Sequence, residues 1–112
     1  MKLNAILEKS NTDINLISVF ENTLAGYGGL SVSRISEANY RINKVGAFPE
    51  GKVFLPNPIA IIHPVDGNPQ IGHAQFQRNS PDYIDIFVYS SDGLPIESVA
   101  DWTISVSIET YP

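Results

Sequence analysis

From Leu30 to the end of the chain, clusters of Gly, Pro, Asn and Asp recur about every ten residues and separate short apolar segments. That spacing leaves room for strands and turns but not for helices of ordinary length. The breakers are "FPEG", "LPNP", "HPVDGNP", "RNSPD" and "SSDGLP". Between them the pattern predicts strands near residues 30–35, 40–45, 53–55, 59–63, 71–77, 83–89 and 102–109. Proline has no N–H to give to a strand ladder, and nearly all eight prolines fall in the connections. The final segment, "WTISVSIETYP", sets Trp102, Ile104, Val106 and Ile108 against Thr103, Ser105, Ser107 and Glu109. Such alternation describes a strand with one face in a core and the other in water. The expected fold is therefore all-β, an antiparallel β-sandwich of jelly-roll or immunoglobulin-like kind, over residues 26–112.

Residues 1–25 read two ways. Thr12 and Asp13 are suited to cap a helix bearing Ile14, Ile17, Phe20 and Leu24, whose spacing is near 3.6. The alternation Ile14, Leu16, Ser18, Phe20 fits a strand, and an arm or strand is the favoured reading. "AGYGG" then breaks whichever element precedes it.

A chain of 112 residues makes one domain, large enough to bury about two thirds of its unfolded surface. Cysteine is absent, which excludes disulfides, thiolate metal sites and a cysteine nucleophile. A formal charge of −5 and a pI near 4.7 oppose phosphate binding, so nucleic acid is not an expected partner. In "MKLNAILEKS", Asn4, Glu8 and Lys9 interrupt the apolar residues before a signal-peptide core can form. No signal peptide and no membrane span are expected. That places the protein in the cytoplasm, or in a virion assembled inside a host and released by lysis.

Chemistry-bearing motifs are sparse. His63 and His73 flank "PVDGNPQIG", and antiparallel pairing of their strands could bring them together with Asp66 between them. A zinc site needs three or four converging ligands, and the third is not evident, so two histidines at strand ends is the preferred reading. "GYGG" at Gly26–Gly29 lacks the following Gly-Lys-Ser/Thr of a phosphate loop, and reads as a joint or bulge. No serine sits in a G-x-S-x-G elbow. The carboxylate pairs Asp82 with Asp85 and Asp92 with Glu97 could serve glycoside hydrolysis only at a suitable separation, and solubility explains them more simply. No catalytic residue, metal or cofactor is expected.

The remaining feature is "YIDIFVY", which puts Ile84, Ile86 and Val88 on one face and Tyr83, Asp85, Phe87 and Tyr89 on the other. The second face is suited to burial under a neighbouring strand or subunit, because Tyr and Phe are enriched in interface cores. It is also suited to a sugar platform, with rings covering a pyranose and Asp85 accepting from hydroxyls. Tyr111, next to the final Pro112, suggests a tucked end to the chain.

Taken together, "GKVFLPNPIAIIHP", "IGHAQFQRNSPDYIDIFVYSSDG" and "ADWTISVSIETYP" resemble the C-terminal β-sandwich modules of bacteriophage tail-fibre and appendage proteins over residues 51–112. The resemblance implies a non-enzymatic virion component, commonly homotrimeric, that contacts a host receptor or another structural protein. It transfers no functional residue. The expected function is a self-associating structural or interaction protein, with a trimer favoured and a protein or glycan receptor as partner. The alternative is a monomeric carbohydrate-binding module using Tyr83, Asp85, Phe87 and Tyr89.

Overall fold

The structure is a computed structural model that describes residues 1–11, 13–36, 38–64, 68, 70–90 and 100–112. Its strands are β1 (Lys2–Ser10), β2 (Asp13–Asn22), β3 (Tyr27–Ser36), β4 (Asn39–Val45) and β5 (Val53–Phe54), then β6 (Ile59–Pro64), β7 (Gln70–Ser80), β8 (Tyr83–Tyr89) and β9 (Ala100–Thr110). All pairings are antiparallel, in the order β2-β1-β9-β6-β7-β8-β4-β3, with the short β5 beside β9. The all-β antiparallel architecture expected from the spacing is present. A jelly-roll or immunoglobulin-like sandwich has two hydrogen-bonded sheets. Here the pairing runs through one sheet whose end strands, β2 and β3, approach each other, so it is nearly a barrel.

β9 holds this sheet together. One side pairs with β1 from Lys2↔Glu109 to Lys9↔Trp102, and the other with β6 from Ala60↔Ile104 to Pro64↔Ala100. Its inward residues, Trp102, Ile104, Val106 and Ile108, are fully buried, and so are Leu3 and Leu7 of β1. Across the interior the Trp102 ring meets Tyr40 of β4 edge-to-face, with centroids 5.1 Å apart and planes at 77°. Such a pair contributes about 0.5–1.5 kcal/mol beyond the area it buries.

The N-terminal segment is a hairpin in the same sheet. Ser10 pairs with Asp13, and Asn11 sits at φ 57°, in the left-handed region that Asn tolerates. The helical spacing of β2 has a structural origin. Leu16 pairs with Leu7 but Ser18 with Ile6, and Val19 pairs with Ala5 but Glu21 with Asn4. Ile17 and Phe20 are thus the extra residues of two bulges, and each bulge shifts the phase of the alternation. The proposed Thr12 cap lies outside the described residues.

"GYGG" forms a bulge at the start of β3. Gly26 (φ 104°) lies so close to β4 that a Cβ there would overlap the Val45 carbonyl oxygen, and Gly28 has φ 74°. At the other end of the chain the Tyr111 N–H bonds the Lys52 carbonyl at 3.0 Å while the ring stays half exposed. The side chain is tied as well, through a hydrogen bond from its hydroxyl to Glu109 that holds the phenol pKa above its ordinary value.

Two outcomes follow from the position of β9. A chain ended at Ala100 should show no cooperative unfolding transition and collapsed amide dispersion in a proton–nitrogen spectrum; a well-dispersed spectrum would refute the central role of the strand. Ile104→Ala should lower the unfolding free energy in urea by about 2–5 kcal/mol, because a fully buried side chain is replaced by a cavity.

Candidate functional site

The outward face of β8 is where the sequence placed its candidate residues, and the register shows what surrounds each. Tyr83 is opposite Asn43, Asp85 lies between Arg41 and Gln77, Phe87 lies between Asn39 and Gln75, and Tyr89 is opposite His73. The rows continue onto β6, where Ile59 faces His73 and Ile61 faces Ile71. β4, β8, β7 and β6 therefore share one continuous outer surface.

Asp85 is on this outward side and yet is buried, at 4% exposure. Its Oδ1 accepts from Arg41 Nε at 2.7 Å and its Oδ2 from Asn79 Nδ2 at 2.8 Å. Asn79 can reach it because the register skips between Arg78 and Ser80, leaving Asn79 as the bulged residue of β7. The Arg41 guanidinium then lies over the Tyr83 ring, with Cζ 3.8 Å from its centroid, a cation–π arrangement. The hydrogen bond to Asp85 is the main reason the guanidinium pKa is raised above its ordinary value. With that sign, the contribution is complete below the ordinary arginine value, so it is constant across neutral pH.

This geometry changes the role of Asp85. Each of its oxygens serves a partner within the chain and the residue is buried, so it fixes Arg41 and Tyr83 in place and is not presented to a ligand at the surface. Tyr89 is likewise engaged: the His73 ring stacks on it, with centroids 5.4 Å apart and planes at 30°. Tyr83, Phe87 and Tyr89 are half-buried along this ridge. Beyond them the surface becomes aliphatic, with Ile59 and Ile71 exposed by 62% and 63%. Sequence reasoning missed Arg41, Asn79, Ile59, Ile61 and Ile71, and it considered His73 only as a metal ligand, because cross-strand register alone brings these residues to the face of β8.

The two histidines are not brought together. His73 is opposite Ile59, four positions along β6 from His63, a separation of about 13 Å at the usual rise of a strand. His63 is instead opposite Asp101 on β9, beside a cleft of about 140 Å³ that Glu8 and Thr103 also line. Among the described residues no three His, Asp or Glu side chains are grouped to hold a metal ion. Asp66, Asp92 and Glu97 lie outside the described residues. Asp82 accepts the Gly46 N–H at 2.8 Å and so fixes the turn after β4.

No protein-family model, no curated protein and no solved structure matches the chain.

Asp85→Ala should lower the unfolding free energy by about 1.5–3 kcal/mol, the usual cost of losing hydrogen bonds to a charged group. Asp85→Asn keeps the shape without the charge and should lose less. Equal urea midpoints for all three proteins would show that the Arg41–Asp85–Asn79 cluster does not organise the face.

Proposed function

We propose that this chain is a non-enzymatic structural or interaction protein that self-associates through the outer face of β4, β8, β7 and β6. One observation carries the reading. The chain has a net charge of −5, yet among the described residues the only Asp, Glu, Lys or Arg side chains in the paired rows of this face are Arg41 and Asp85, which neutralise each other. Depletion of charge, together with Tyr, Phe and Arg, is the compositional mark of an interface core. The exposed Ile59, Ile61 and Ile71 continue the same surface as apolar area. Closed symmetric assembly would cover all of it. The trimeric state and the virion or appendage setting are parts of this proposal that rest on the resemblance of residues 51–112 alone.

The test is the solution mass of the untagged protein by light scattering on a sizing column. A species of three times the 12.3 kDa chain is expected. Ile71→Arg combined with Phe87→Asp should return it to a monomer with unchanged circular dichroism, since Ile71 is 63% exposed and Phe87 is outward-facing. A monomer at every concentration, or an oligomer indifferent to both substitutions, would overturn the reading.

A further inference from the structure

A groove of about 220 Å³ opens beside Tyr83, lined by Ser31, Asn43, Lys44, Val45 and Asp82 with Gly29 at its wall. We propose that it is a binding subsite for a single saccharide ring. Local chain geometry creates the space. Tyr27 pairs with Val45 and Ser31 with Asn43, so Gly28 to Leu30 of β3 stand opposite Lys44 alone. The bulged strand has no side chain at Gly28 and Gly29, where a Cβ would meet nothing within 4 Å. The Lys44 ammonium donates to the Gly28 carbonyl at 3.3 Å and ties the bulge to β4.

The polar lining is held in place with acceptors left over. Asn43 Nδ2 donates to Ser33 Oγ at 3.1 Å, which leaves Asn43 Oδ1 as an acceptor. Asp82 accepts the Gly46 N–H through Oδ1, which leaves Oδ2. Ser31 adds a hydroxyl that can donate or accept, and Lys44 has further N–H groups. Tyr83 and the exposed Val45 supply apolar wall between these groups. Arg41 stacked on Tyr83 holds that ring still. A ligand that both donates and accepts around a small apolar body is a polyhydroxylated ring. The volume lies below the ~300–1,000 Å³ of pockets for drug-sized molecules, which limits the site to one ring. Asp82 beside the groove favours a neutral sugar over an acidic one. This displaces the sugar-binding expectation from Asp85 and Tyr89, whose polar atoms and rings are engaged elsewhere, to the β3–β4 side of Tyr83.

The test is a proton–nitrogen NMR titration of the intact chain with glucose, galactose and N-acetylglucosamine, using acyclic sorbitol as the control. At least one of the cyclic sugars should shift the amides of Gly29, Ser31, Asn43, Lys44 and Tyr83, with a Kd of about 1–10 mM. Gly29→Ile, which fills the groove without a clash at Cβ, and Asn43→Ala should each weaken binding at least about tenfold while leaving the rest of the spectrum unchanged. No shifts with any sugar, shifts confined to Tyr89 and His73, equal shifts with sorbitol, or binding that survives Gly29→Ile would each overturn the proposal. Because Tyr83 and Asn43 also border the proposed interface, the titration is repeated on the Ile71→Arg/Phe87→Asp variant, where sugar shifts are expected as well and their absence overturns the subsite whatever the oligomeric state.

Discussion

The inward row of β9 is the constraint on which the rest of the molecule depends. Trp102, Ile104, Val106 and Ile108 are buried between the N-terminal hairpin on one side and β6 on the other. Fully burying side chains of this size is worth roughly 1.5–3 kcal/mol each, so a strand made from the end of the chain joins segments from its beginning and middle. Once β1 is fixed against β9, β2 must be an edge, and the meander β6-β7-β8-β4-β3 must run the other way round the core. The Trp102–Tyr40 contact then fixes how far the sheet curls, because it links β9 to a strand four places along the order.

Much of this was legible from breakers and alternation. Strands near residues 40–45, 83–89 and 102–109 appear within a residue or two of their expected limits, because Pro and Gly end them chemically and buried alternation fixes their faces. β2 was harder, since bulges at Ile17 and Phe20 turn a period of two into a spacing that mimics a helix. A bulge is a decision between two strands, and one strand's sequence does not contain it. The same holds for Asp85. Its position in the alternation put it on the face opposite Ile84, Ile86 and Val88, but its burial is set by Arg41, 44 positions earlier, and by the bulged Asn79. The groove beside Tyr83 was partly announced by "GYGG", which read as a bulge, although nothing local says that Lys44, Asn43 and Asp82 would line it.

Where such a molecule can associate is decided by the difference between its edges and its face. An open sheet exposes unpaired N–H and C=O groups on its end strands, and β2 and β3 are ten residues long. Both are irregular. β2 has bulges at Ile17 and Phe20, and the pairing of β3 shifts between Tyr27 and Ser31 and again between Arg34 and Ser36. Bulges twist an edge and spoil the register that strand addition requires. Phe20, although 72% exposed, therefore sits on a backbone poorly shaped to template another strand.

The face of β4, β8, β7 and β6 has the opposite character. All four of its strands are interior to the sheet order, β4 lying between β8 and β3, so their backbone groups are paired on both sides and side chains face outward. Its Arg41–Asp85 ion pair is internal, and the Tyr83–Arg41 and Tyr89–His73 stacks restrict ring motion before any partner arrives. Binding is opposed by the ordering of side chains, at about 0.5–1.5 kcal/mol for each one immobilised, and prior stacking reduces that term. A surface that is poor in charge, satisfied in its backbone and partly ordered in advance loses least on being covered. Those properties separate it from the two edges, and they are why side-chain contact through this face is a better route to assembly than strand addition.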